Sequence, residues 1–104
     1  MVCKVVWTPK ALESYVTIME YLEAAWTEKE VKSFAALVEK RLELLSTQPE
    51  IGTPRSKKSP NLRHTVLHKR VSLIYRIQPQ KKQVELLLFW NTRQNPSRLK
   101  VKTG

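Results

Sequence analysis

The apolar residues of this chain change their repeat once. Between Leu12 and Leu45 they recur at spacings of three and four, whereas between Leu62 and Asn91 they alternate or run together. The first spacing lines one stripe of an α-helix, and the second lines one or both faces of a β-strand. A chain that makes its helices before most of its strands lacks the crossover helices that a doubly wound parallel sheet needs. The expected arrangement is α+β, with the helices laid together on one face of a mainly antiparallel sheet. The 104 residues are enough for one such domain, 1–104, and leave no room for a second core.

Local chemistry marks where each element begins. Cys3–Trp7, a short β-branched and aromatic run, predicts an opening strand. Thr8 suits an N-cap, and Pro9 suits the first helical position, where its missing N–H would have had no intrahelical partner. Leu12, Tyr15, Val16, Met19, Leu22 and Trp26 form the stripe expected to face the core from a helix over Pro9–Ala25. Thr27 and Glu30 then make a T-x-x-E capping box, which predicts a second helix at once, ending near Ser46. Its apolar seam is Val31, Phe34, Ala35, Val38, Leu42 and Leu45, and so short a joint predicts antiparallel packing of the two helices.

Gln48–Pro60 holds three prolines, Gly52 and the basic residues Arg55, Lys57 and Lys58, and reads as an exposed connection without a regular element. Leu62–His68, Val71–Gln78 and Gln83–Asn91 read as a three-stranded antiparallel meander, with 79–82 as a turn. In the last of these, Leu87 and Phe89 oppose Leu86, Leu88 and Trp90, so both faces are apolar and the strand belongs inside the sheet. The element order is therefore β-α-α-β-β-β, followed by a basic tail expected to be loose from about residue 97.

Several functions are excluded by what is missing. The longest apolar runs, Phe34–Val38 and Leu86–Trp90, are five residues each, whereas crossing a bilayer takes about 20. No apolar segment of secretory length follows Met1–Lys10, so the expected compartment is the cytoplasm. Cys3 is the lone cysteine and is expected as a small buried residue. Asp is absent, which leaves triads and paired-carboxylate sites without their usual acid. His64 and His68 are expected on one strand face about 13 Å apart, too far to share an ion. With Gly52 and Gly104 the only glycines, no phosphate-cradling loop can be built. Neither a metal nor a nucleotide cofactor is expected.

The charge is lopsided. Residues 1–50 carry six basic and eight acidic side chains, net −2, while residues 51–104 carry thirteen basic side chains and Glu85, net +12. A field of that sign attracts phosphates or an acidic protein segment. Arg63, His64, His68, Lys69, Arg70, Arg76 and Arg93, with Arg55, Lys57 and Lys58 on the preceding loop, form an inventory of cations and imidazoles. Metal-free RNA cleavage needs a base, an acid and cations for the developing charge, and these residue types can supply all three.

Taken in order, several stretches resemble the RelE/ParE superfamily of toxins from type II toxin–antitoxin modules, on its ParE or plasmid-stabilisation side. They are Trp7 with Ala11-Leu12, Tyr21-Leu22 to Trp26, Leu44-Leu45 with Pro49 and Gly52, Asn61-Leu62-Arg63, Ser72 to Ile77, and Leu88 to Pro96. The last runs from the final strand into an R-Q-N-P corner. The resemblance covers nearly the whole chain. It implies a small bacterial protein that arrests growth when free and is silenced in a hetero-oligomer by a cognate antitoxin, whose C-terminal segment, often acidic, wraps the toxin.

The resemblance implies one of two targets. RelE-like members cut mRNA on the ribosome with basic residues, an arginine just before the stretch that is Leu73-Ile74-Tyr75 here, and a tyrosine near the C-terminus. Here those last two positions hold Ser72 and Leu99, while Arg93 matches the arginine after the last strand. A nuclease would have to rely on Arg93, Arg63, His64, His68 and Lys57. ParE-like members are associated with poisoning DNA gyrase by protein contact, and the departures favour that side. Arg63, Arg76, Arg93, Trp90 and Asn91 are then the expected binding residues. A relative that only binds its partner or a nucleic acid is the third reading.

Overall fold

Thr8 decides where the first helix starts and what it is fastened to. In the computed structural model, which describes residues 2–68 and 71–91, the Thr8 hydroxyl accepts from Ala11 N at 3.1 Å and donates to Leu86 O at 2.7 Å. One side chain thus caps a helix and ties its start to a strand. The strand before it is β1 (Lys4–Trp7) and the helix is α1 (Pro9–Ala25), with Pro9 in its first turn. Thr27 and Glu30 form the expected capping box, and α2 runs over Glu28–Thr47. The two helices make the expected hairpin.

The core-facing stripe of α1 is not the expected one. Ile18 and Leu22 are 1% and 2% exposed, and Ala11 is fully buried, while Leu12 and Val16 are 53% and 47% exposed. The helix is turned so that its small residues meet the sheet. Ser14 Oγ accepts from Phe89 N at 2.9 Å, past the end of β1, and donates to Ala11 O. Leu12 or Val16 on that side would hold the helix away from this backbone donor and leave it unpaired in a dry place, at a cost of about 1–3 kcal/mol. Tyr15, Met19 and Trp26 are half-buried, and Leu22 keeps its expected place. The seam of α2 is as expected: Phe34, Val38 and Leu45 are buried, with Val31 and Leu42 packed at its margin.

The remaining strands are β2 (Thr53–Pro54), β3 (Leu62–His68), β4 (Val71–Gln78) and β5 (Gln83–Asn91), in the sheet order β1-β5-β4-β3-β2. The meander β3-β4-β5 is antiparallel as expected, but β1 joins β5 in parallel, so the sheet is mixed. β5 has strand neighbours on both sides. The segment 48–60, expected to be irregular, contains a 3-10 turn at Pro49–Ile51 and the two-residue β2. Pro54 is tolerated there because an edge strand leaves one side without ladder donors, and Arg55 N closes the hairpin on Leu62 O at 2.8 Å.

Two bulges alter which residues share a face. In β5 the register steps from Leu88 opposite Ile74 to Leu86 opposite Tyr75, leaving Leu87 over. Leu86 and Phe89 therefore both turn toward the helices, where strict alternation would separate them. In β3 the register steps from Val66 opposite Ser72 to His68 opposite Val71, leaving Leu67 over. This contradicts the expected shared face of His64 and His68. His64 keeps the helix-free side, whereas His68 is rotated toward the helices and lies 4.9 Å from the Trp26 ring.

Burial follows this architecture: Tyr75, Leu73, Val71, Leu86 and Val84 from the sheet meet Ile18, Leu22 and Leu45 from the helices. No helix among the described residues is long and apolar enough to cross a membrane. The rotation of α1 predicts an asymmetry in denaturant unfolding. Leu22→Ala should cost about 2–5 kcal/mol, and Leu12→Ala about 0.5 kcal/mol or less.

Candidate functional site

Arg63 and Tyr75 are cross-strand partners on the helix-covered face of the sheet. Both reach the turn that follows α2. The Tyr75 hydroxyl donates to Pro49 O at 2.6 Å and accepts from Gly52 N at 2.9 Å. Arg63 Nη1 donates to Glu50 O at 3.1 Å and Gly52 O at 2.8 Å. Four backbone groups of one turn are thus satisfied by two side chains, and that turn launches β2 and the basic loop carrying Arg55, Lys57 and Lys58. Gly52 is needed for closeness: a Cβ there would collide with the Tyr75 hydroxyl and come within 2.8 Å of His64 O. Burial pushes the Tyr75 phenol above its ordinary pKa of 10.0, against opposing pulls from the Gly52 hydrogen bond, Arg63 and Arg41.

The helix-free face is built in rows across the strands. Leu62, Arg76 and Glu85 form one row, His64, Ile74 and Leu88 the next, and Val66, Ser72 and Trp90 the third. Arg76 lies 3.7 Å from Glu85, whose carboxylate also accepts from Gln78 at 3.1 Å. Ser72 therefore sits between two large apolar side chains, at the place where the nuclease pattern would set an arginine. Trp90 belongs to this face. Asn91, one residue on, pairs with Val71 and is buried toward the helices.

His68 is elsewhere. It lies against Trp26 and Phe34, at ring distances of 4.9 and 6.5 Å, beside a notch of about 280 Å³ where the two helices meet. Lys57 is on the exposed loop at the opposite end of β3. Arg93, Lys69 and Arg70 lie outside the described residues. Among the described residues, the buried Nδ1 atoms of His64 and His68 and the buried Nε of Arg63 have no hydrogen-bond partner. The structure brings Arg63 to the turn, His64 to the open face and His68 to the helix corner, and gathers no two of them around one point. No group of three or more His, Cys, Asp or Glu side chains among the described residues can hold a metal ion.

Sequence reasoning missed Tyr75, Gly52 and Arg41 as organisers. Arg41 reaches from α2 to hydrogen-bond Thr65 Oγ1 and, at 2.9 Å, Val66 O. It thereby occupies the edge of β3 beyond the reach of β2. The available signal was weak: a proline and a glycine three residues apart after α2, with an alternating tyrosine later in the chain.

The family model of the ParE toxin of type II toxin–antitoxin systems, parDE, matches residues 5–96. Among solved structures, the chromosomal ParDE system of P. aeruginosa is similar with a TM-score of 0.68 at 16% identity, covering 88% of this chain and 98% of that one. The RelBE2 toxin–antitoxin complex of Mycobacterium tuberculosis is similar with a TM-score of 0.60 at 20% identity, covering 88% and 99%. A mutant of the E. coli toxin RelE in the free state gives 0.62 at 13%, covering 97% and 93%. At such identities these likenesses concern the fold. No curated protein gives a significant match.

The turn lock predicts that Gly52→Ala destabilises the chain by about 1–3 kcal/mol in urea melts, as overpacking does. Tyr75→Phe should cost a similar amount, about 1–3 kcal/mol, by leaving buried backbone groups unpaired. Because the folded phenol holds its proton more tightly than the unfolded one, its contribution is complete below pH 10 and lost as pH rises beyond it. Alkaline melts of Tyr75→Phe should show less of this loss than the parent chain.

Proposed function

We propose that this chain, which belongs to the ParE toxin family of type II toxin–antitoxin systems, arrests bacterial growth by binding DNA gyrase through a contact surface. In this reading it is a cytoplasmic protein held silent by a cognate antitoxin and carries out no catalysis of its own. The observation that carries it is the place of Ser72. The centre of the helix-free face presents Val66, Ser72 and Trp90 in one row and His64, Ile74 and Leu88 in the next, a mixed apolar surface without gathered cations among the described residues. RNA cleavage asks for a base, an acid and cations around one phosphate. Arg63 instead hydrogen-bonds two backbone carbonyls, and His68 faces the helices. Trp90 and Arg76, with Arg93 beyond the last strand, are the contact residues in this reading, and Arg63 serves it by fixing the 49–52 turn.

An antitoxin partner is supported by the company of the fold: RelBE2 was solved as a toxin–antitoxin complex, and a RelE mutant as a complex with an antitoxin peptide. A segment that folds as it binds would find acidic residues useful against the net +12 of residues 51–104.

The decisive assay is supercoiling of relaxed plasmid by purified gyrase with the toxin added. Inhibition is expected, together with its reversal by the antitoxin encoded beside the toxin. Full gyrase activity at toxin excess would reject the reading. In cells, Arg93→Ala should relieve growth arrest at equal expression; undiminished arrest would remove Arg93 from the contact surface.

A further inference from the structure

One end of the sheet carries a row of cations contributed by three separate parts of the chain. The parallel register sets Lys4 beside Gln83, and Lys4 N donates to Lys82 O at 2.9 Å, which places Lys4 next to the β4–β5 turn holding Lys81 and Lys82. Leu62 pairs with Arg76, so the loop bearing Arg55, Lys57 and Lys58 leaves the sheet at that same end. All seven side chains are exposed. Among the described residues, the one ion-pair partner that any of the seven finds is Glu85, for Arg76. Apart from Glu50 and Glu85, the carboxylate side chains belong to the helices.

Lys82 adds an independent observation. Its φ is 52°, the one positive value among the described non-glycine residues. Glycine or asparagine fits that left-handed position more readily than lysine. Two consecutive lysines close this turn where a better turn residue was available.

We infer that this rim is a docking surface for the phosphate backbone of duplex DNA. Protein interfaces are depleted in lysine and enriched in aromatic side chains, whereas five of these seven residues are lysine and none is aromatic. Surfaces for single strands stack bases on exposed rings, and the exposed aromatics among the described residues, Trp7 and Tyr21, lie on the far end of β1 and on α1. What remains is a line of point charges. Strands spaced about 4.8 Å apart spread the row over about 19 Å from β1 to β2, a length along which a duplex presents roughly one charge per 1.7 Å. The rim recognises phosphates and no particular base sequence.

The test uses the full chain and a short labelled duplex of mixed sequence, with anisotropy titrations at several salt concentrations. Lys4→Gln, Lys57→Gln, Lys58→Gln and Lys81→Gln combined should flatten the slope of log affinity against log salt by roughly 0.9 for each phosphate left unneutralised, about three to four in all. A matched variant of the helical lysines, Lys10→Gln, Lys29→Gln, Lys32→Gln and Lys40→Gln, should leave the slope nearly unchanged. An equal loss in both variants would reduce the effect to net charge and overturn the inference. So would an unchanged slope in the rim variant, or binding of single-stranded RNA or a polyglutamate peptide as tight as binding of the duplex. The titration involves neither antitoxin nor gyrase, so the rim stands or falls separately from the gyrase reading.

Discussion

Tyr75 buries a phenol in the middle strand of the sheet and commits its hydroxyl to a turn that is distant in sequence. Its bonds to Pro49 O and Gly52 N join the end of the helical hairpin to the sheet. Arg63, its cross-strand neighbour, completes the hold with two more backbone contacts. The course of the chain just after α2 follows from this arrangement, because the turn at Pro49–Ile51 sets where β2 begins and therefore where the basic loop emerges. A polar group in a dry interior is costly unless satisfied, and the buried bond between Gly52 N and the Tyr75 hydroxyl satisfies both of its partners at once.

The same economy of partners separates the two faces of the sheet. The helix-covered face uses its polar groups for structure: Thr8 on Leu86, Ser14 on Phe89, Arg41 on Val66 and Tyr75 on the turn. The helix-free face carries Ser72, Trp90, His64 and the Arg76–Glu85 pair. The fold is shared by structures of ParE and RelE toxins alike, so the distinction between contact and cleavage rests on side chains. Fold alone does not carry function.

Much of the fold was legible because its signals are local. Thr8-Pro9 and Thr27-x-x-Glu30 fix helix starts through bonds made within three residues, and both behave as expected. The face of α1 was misread because the pattern of large apolar residues favours Leu12 and Val16, while the sheet requires the small Ala11 and Ser14 against Phe89. That requirement comes from a strand 75 residues away. The bulges at Leu67 and Leu87 carry no glycine or other local mark, yet each reverses parity, and one of them sends His68 to the opposite side from His64. The parallel pairing of β1 is likewise a long-range choice. Among the candidate site residues, the clustering of cations was legible as charge, but not the sequestration of Arg63. Its partners are backbone carbonyls, and any residue type supplies those.

The central claim is the proposed one: the cations and imidazoles among the described residues serve holding and docking, away from a common reaction centre. Mapping mRNA 5′ ends on ribosomes after induction of the toxin without antitoxin tests it most directly. The account predicts growth arrest with no new cleavage ends. New codon-phased ends that disappear in His64→Gln would contradict it.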